Sequence, residues 1–230
     1  MYYLLFQGTH IEMNPHSDTQ KHRPMLKPIE EIKKLFQVFQ TESSPVEAGS
    51  VDRVFSFQKE GGEMQVILVT EGSITVYRKT DKLRFAKAAA PSIFGMQGSP
   101  FRYDLYEFKY DKTAKLESLP LSRAIALITE HHLLQEMLTY QIYFNDHQAY
   151  RDNSLIGKSA YEMICSLLLE LQELPKEERN TQSVYNYIYE HTHLARSGVM
   201  KILSDLRKGE YIIIERGKLI DIIKPFPKEY

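Results

Sequence analysis

The chain has 230 residues, 43% of them hydrophobic, enough for a full core in one large or two small domains. A formal net charge of −1 excludes a protein that coats nucleic acid nonspecifically, because such binders need many phosphate contacts and a strongly basic surface; one localised basic patch remains allowed. No apolar run approaches the roughly 20 residues of a membrane-crossing helix, and a single cysteine permits neither an internal disulfide nor a cysteine-ligated cluster, which suits the cytoplasm.

Tyr2 to Phe6 is apolar but lacks a preceding basic region and falls short of the roughly 7–15 residues of a signal-peptide core. Leu5-Phe6-Gln7-Gly8 resembles part of a recombinant protease site, so residues 1–27 are expected to be flexible or tag-derived. Pro28 to Gln40 places Ile29, Ile32, Leu35, Phe36 and Phe39 at helical spacing. From Val46 to Leu121 the pattern changes to short apolar runs punctuated by Glu60-Gly61-Gly62, Glu71-Gly72-Ser73, Thr80-Asp81-Lys82 and Ala90-Pro91-Ser92, which predicts an antiparallel β domain. Ile74 and Val76 alternate, as do Leu105 and Phe108, whereas Val66 to Val69 is continuously apolar and is expected to be covered on both sides.

After Pro120 the period is helical. A long helix is predicted from His132 to Asp152, with Leu134, Met137, Leu138, Gln141, Ile142, Asn145 and Ala149 along a near-heptad seam. Such a stripe can pack on its own domain, but a long helix leaving a small β domain has few other surfaces to cover, which favours a dimer interface through Leu134, Met137, Leu138, Gln141, Ile142 and Asn145. Asp152-Asn153-Ser154 and Gly157 suggest a hinge, Ser159 to Leu174 a further helix that buries Cys165, and Glu173 to Gln182 a solvated connector.

The last fifth of the chain predicts two helices joined by a tight turn and then a two-stranded wing. In the second helix Val199, Ile202, Leu203 and Leu206 form the buried stripe, leaving the other face to Arg196, Ser197, Lys201, Ser204, Arg207 and Lys208. Gly209 is expected to close this helix in a left-handed conformation, Tyr211 to Ile214 to form a strand, and Arg216-Gly217-Lys218 to be the hairpin tip. Seven Lys or Arg against four acids over residues 191–224 give a local balance of +3. Tyr185 and Tyr189 share a helical face while Tyr187 opposes them, and one of the two faces is expected to pack in the core with Ile188.

None of the eight histidines lies in the β domain, which excludes a cupin-like metal centre there. His191-Thr192-His193 falls in the turn before the second helix, where polar residues beside a DNA backbone are expected, and no third metal ligand accompanies it. No nucleophile–histidine–acid set, glycine-rich phosphate loop or carboxylate pair stands out, so no catalytic, cofactor or metal residue is assigned and the chain is not expected to be an enzyme.

A β domain carrying Val66-Ile-Leu-Val-Thr-Glu-Gly72-Ser-Ile-Thr-Val-Tyr77 and Ile93-Phe94-Gly95, then a long helix, then a winged helix-turn-helix, resembles the cyclic-AMP receptor protein and FNR (CRP/FNR) superfamily of bacterial regulators from about residue 28 onward. Leu155-Ile-Gly157, Tyr187-Ile, Leu206-Arg-Lys-Gly209, Gly217-Lys-Leu-Ile220 and Pro227 to Tyr230 look like the enterobacterial IprA (YaiV) group, which is associated with control of peroxide resistance. The resemblance implies an α+β chain: an amino-terminal antiparallel β-roll of the cyclic-nucleotide-binding type (28–130), a dimerisation helix (131–153) and a winged helix-turn-helix (154–230). In cyclic-nucleotide binders of this superfamily a glutamate follows the Phe-Gly, and an Arg-Ser or Arg-Thr pair holds the phosphate. Here Met96 takes the acid's place, Arg102 is followed by Tyr103, and Pro100 removes an amide donor, so no cyclic-nucleotide site is expected.

The expectation is therefore a homodimeric transcription regulator binding double-stranded DNA, with RNA polymerase a further candidate partner and no membrane contact. Arg196, Ser197 and Lys201 would face base edges; Thr192, Ser204, Arg207, Lys208, Arg216 and Lys218 would complete the contact set, largely on phosphates. The alternative, of a different class, is an adaptor that turns the winged-helix shape toward another protein.

Overall fold

A computed structural model describes residues 24–46, 53–58 and 61–227. The chain divides at residues 149 and 150 into two compact units. The expectation of a flexible or tag-derived segment over residues 1–27 lies outside the described residues at 1–23; at 24–27 the chain is tied to the first unit, with the Lys27 ammonium donating to the Ala89 carbonyl at 2.6 Å and to the Ser92 hydroxyl at 2.9 Å and Met25 packed against the core.

The first unit runs α1 (Ile29–Phe39), β1 (Ser44–Pro45), β2 (Val54–Phe55), β3 (Gln65–Glu71), β4 (Ser73–Arg78), β5 (Arg84–Ala89), β6 (Ser92–Phe94), α2 (Pro100–Asp104), β7 (Tyr106–Tyr110), β8 (Lys115–Pro120), α3 (Leu121–Glu130) and the start of α4 (Leu134–Leu155). Two four-stranded antiparallel sheets, ordered β1-β8-β3-β6 and β2-β7-β4-β5, form the β-roll. Successive residues of a strand point to opposite faces, and β3 uses both. Val66 and Leu68 join a core with Ile32, Leu35 and Phe39 of α1, Leu127 of α3 and Met137 and Tyr140 of α4. Ile67 and Val69 face the roll interior with Ile74, Val76, Phe94 and Phe108. The unbroken apolar run from Val66 to Val69 is thus buried on both sides, as its pattern predicts.

Tyr140 ties α4 to β6. Its buried hydroxyl accepts from the Ile93 amide at 3.1 Å and donates to the Ile93 carbonyl at 2.7 Å, satisfying both groups away from water. Gly95, just after β6, has φ +101°, and a Cβ there would collide with the Gln65 carbonyl oxygen, so this turn needs glycine for both conformation and room.

The second unit holds the remainder of α4, then α5 (Ala160–Glu173), α6 (Lys176–Thr181), α7 (Val184–Thr192), α8 (Arg196–Lys208), β9 (Ile212–Glu215) and β10 (Lys218–Ile222). Ser159 opens α5 with a reciprocal capping box to Glu162.

Several expectations are corrected. Leu105 is not a strand residue; it caps α2 and is exposed, and β7 begins one residue later. The long helix starts at Leu134 because His132 is left-handed (φ +56°), with the Leu133 amide bonding the Ile128 carbonyl to close α3. Asp152 to Ser154 are helical and the break falls at Gly157 (φ +69°). The connector of residues 173–182 contains α6, started by Pro175 and anchored by Arg179, whose guanidinium donates to the Gln172 carbonyl at 3.0 Å.

Candidate nucleic-acid interface

The second unit is a winged helix-turn-helix built around one core. Ile164, Leu168 and Leu171 of α5, Val184, Tyr187 and Ile188 of α7, Val199, Ile202, Leu203 and Leu206 of α8, and Ile212 and Leu219 of the wing are all buried. The apolar stripe of α8 is the one its sequence predicts, so the helix has a fixed outward face. Ser183 caps α7. The turn into α8 is made by His193 in the left-handed region (φ +55°).

On the outward face of α8, Arg196, Ser197, Lys201, Arg207 and Lys208 are exposed and Ser204 is half-buried. Met200, absent from the predicted set, is 46% exposed and sits one turn after Arg196. The buried stripe at 199, 202, 203 and 206 marks position 200 as outward. Its apolar character diverts attention to the core, yet an apolar side chain among cations is what contacts a thymine methyl in a major groove.

Two predicted contacts are already engaged inside the unit. The single O–H of Thr192 donates to the Ile188 carbonyl at 2.7 Å, and its oxygen accepts from the Leu194 amide at 3.2 Å, so the hydroxyl builds the turn and has no proton left for a phosphate. Lys218 lies in β10 rather than at the hairpin tip, and its ammonium donates to the Thr181 carbonyl at 2.9 Å. The tip is the two-residue turn Arg216-Gly217, with φ +49° and +78°, the mirror-image turn that suits a twisted hairpin. Gly217 accepts from the Val184 amide at 2.9 Å, tying the tip to the start of α7, while Arg216 is exposed.

Gly209 is corrected as well. Its φ is −76°, and the left-handed residue is Glu210 (φ +58°). A Cβ at 209 would stand 2.6 Å from the Tyr211 ring, so a larger residue there requires that ring to shift.

His191 is 5% exposed: Nδ1 lies 2.7 Å from the Tyr187 carbonyl and the ring packs 4.5 Å from Tyr187, whose hydroxyl donates to Glu170. It is a core residue, not a backbone contact. On the opposite face of α7, Tyr185 stacks on Tyr189 at 5.9 Å, the His193 ring lies tilted against Tyr189 at 5.1 Å, and the Arg196 guanidinium lies 4.6 Å above the Tyr185 ring.

Among the described residues no group of three His, Cys, Asp or Glu is placed to hold a metal ion. Burial in α5 pushes the Cys165 thiol up to about 11, away from the thiolate form that reacts with oxidants.

In the first unit α2 occupies the place between β6 and β7 where the resemblance puts a phosphate cassette. The roll interior beside it is filled: Phe57 packs 4.0 Å from Tyr103 and 4.6 Å from Phe108. The cavity left among Val76, Phe94, Arg102, Tyr103 and Phe144 is about 20 Å³, space for about one water. Arg102 lies 4.6 Å over the Phe144 ring and donates to Gln148 at 3.3 Å, and its half-burial lowers its pKa. A larger groove of about 270 Å³ beside Phe55, Phe57 and Tyr106 is flanked by Asp104 and Glu107 as well as Lys79.

The α4 seam residues separate onto two faces. Leu134, Leu138 and Ile142 are 62%, 53% and 54% exposed and continue through exposed Asn145 and Ala149. Met137 instead is buried in the core of its own unit with Leu133 and Tyr140. Gln141 sits between the faces, its amide donating to the Met96 carbonyl at 2.8 Å.

A family model described as winged helix-turn-helix DNA binding matches residues 160–228. The chain is 32% identical over 164 residues to a Salmonella typhimurium protein named inhibitor of hydrogen peroxide resistance, covering 71% of this chain and 78% of the relative. It is 28% identical over 207 residues to the Escherichia coli protein of that name, covering 90% and 99%. Among solved structures, a cyclic nucleotide-binding domain containing protein from Listeria monocytogenes superposes with a TM-score of 0.61 at 16% identity, covering 85% of this chain and 97% of that one. At that identity the likeness speaks for the fold, a β-roll followed by a winged helix-turn-helix.

Proposed function

The chain belongs to the family of the inhibitor of hydrogen peroxide resistance, and from that premise we propose that it is a homodimeric DNA-binding transcription regulator whose targets set the cell's resistance to peroxide. Its fold is that of CRP/FNR-like regulators. The observation that carries the reading is the outward face of α8: Arg196, Ser197, Met200, Lys201, Arg207 and Lys208 are exposed opposite a fully buried stripe, in the helix that follows the left-handed turn at His193. The first turns of α8 enter a major groove, with Arg196, Ser197, Met200 and Lys201 at base edges and Arg207, Lys208 and Arg216 toward phosphates. The exposed stripe Leu134, Leu138, Ile142 supports self-association, because a helix apolar on two faces needs a second surface beyond its own domain. DNA as the target places the protein in the cytoplasm, and the peroxide link rests on the relatives' name. Mapping of bound DNA across the genome before and after a peroxide pulse tests this reading. Occupancy that changes at genes for peroxide removal supports it, and occupancy indifferent to peroxide with no such gene bound contradicts it.

The same reading has no place for a cyclic nucleotide. Met96 offers a ribose hydroxyl only a weak thioether acceptor in place of a carboxylate, Arg102 is held by Phe144 and Gln148, and aromatic rings fill the roll. Cyclic AMP and cyclic GMP are expected to leave the melting temperature unchanged, whereas a ligand at a hundredfold excess over its dissociation constant adds about 2.7 kcal/mol. A saturable rise with millimolar cyclic nucleotide would contradict this and make Arg102 the first residue to replace.

A further inference from the structure

The exposed ring ladder on α7 has no role in the core. Tyr189 is 45% exposed, Tyr185 half-buried and His193 exposed, yet the three rings follow one another in contact, Tyr185 stacked on Tyr189 and Tyr189 tilted against His193, and the row ends under the Arg196 guanidinium. A tyrosine face carries negative quadrupole charge and attracts a guanidinium, which also stacks flat upon it. Among the described residues no carboxylate ion-pairs with Arg196, so the ring is its only strong partner and the fork of N–H donors around its edge stays open. Tyr189 buttresses Tyr185 from the next turn of α7, and His193 extends the stack to the residue that makes the turn into α8. The ladder therefore links the angle between the two helices to the direction in which Arg196 points.

We infer that Tyr185 is a positioning residue for base reading: it holds the Arg196 guanidinium over its ring, and so selects a guanine at the position Arg196 meets in the major groove. This rests on the DNA-reading function proposed above. Guanine is the base whose O6 and N7 acceptors match two parallel guanidinium N–H groups, and a guanidinium stacked on one face still offers that edge. A free arginine must give up much of its rotamer freedom to make the pair, whereas one already stacked gives up less. The contribution of Tyr185 should then appear as discrimination between sequences rather than as general affinity.

The test uses the full chain, a duplex enriched from a random library, and the same duplex with the contacted guanine replaced. Tyr185→Leu keeps apolar bulk and removes the ring face, while Tyr185→Phe keeps the face. Tyr185→Leu is expected to weaken the enriched site about two- to fivefold, the range of an exposed cation–π contact, and to leave the replaced duplex unchanged. Tyr185→Phe should restore wild-type discrimination, and Tyr185→Leu should add nothing in an Arg196→Ala background. Equal losses on both duplexes, or full additivity with Arg196→Ala, would reduce the ladder to a brace for the turn and overturn the inference. A wild-type protein that enriches no duplex would remove the DNA reading itself, and this proposal with it.

Discussion

Leu138→Asp is expected to turn a dimer into a folded monomer. Leu138 is 53% exposed within one chain, so an aspartate there costs that chain little, of the order of ±0.5 kcal/mol for a surface position. In a parallel pairing of two α4 helices the same position faces its symmetry mate. Two carboxylates would then be taken from water without a cation, at several kcal/mol for each ion. Light scattering should report a mass near 54 kDa for the wild type, twice the 26.9 kDa chain, and the chain mass for the variant, with helical circular dichroism preserved. Met137→Asp is the contrasting case. Met137 lies in the core with Tyr140 and Leu133, so that variant should lose stability by the several kcal/mol of a buried unpaired charge. A wild type already monomeric at micromolar concentration, or a Leu138→Asp variant that remains dimeric, would overturn the assignment of this face.

Arg196→Ala should cost about 1–3 kcal/mol on the specific duplex, roughly five- to 150-fold, and relax selection at one base position while leaving random DNA nearly untouched. The reason is geometric: Arg196 is in the first turn of α8, exposed and already oriented by Tyr185. Arg216→Ala is the control for phosphate contacts, since Arg216 stands exposed at the wing tip, and it should weaken all sequences alike and reduce the salt slope by about one. Lys218 is a poorer control because its ammonium also holds the Thr181 carbonyl, so its loss would loosen the wing as well. Parallel losses on specific and random DNA for Arg196→Ala, measured by gel shift, would move Arg196 from base reading to backbone contact.

The parts of this molecule written in periodicity were legible in its residues. The 199, 202, 203, 206 stripe of α8, the doubly buried β3 and the opposition of Tyr187 to Tyr185 and Tyr189 each follow from a repeat that one helix or strand must satisfy by burial. What was not legible depends on which partner a polar group finds. Thr192, Lys218 and His191 carry chemistry suited to DNA, and the fold uses all three on backbone carbonyls. Gly209 invites a left-handed cap by its residue type, yet its φ is −76° and the Tyr211 ring lies close against it, an approach that spacing cannot reveal. On α4 the heptad pattern merged two faces, because Met137 and Leu138 are adjacent in sequence and yet one is buried in its own core and the other exposed.

The central claim, that α8 reads DNA from a dimer, is tested most directly by binding of the full chain to duplexes selected from a random library, followed through a rising salt series. The account predicts an enriched pseudo-palindrome with half-sites about 34–36 Å apart and an affinity whose logarithm falls linearly with the logarithm of salt. Failure to enrich any duplex, together with retention that does not respond to salt, would contradict it and favour an adaptor that presents the winged helix to another protein.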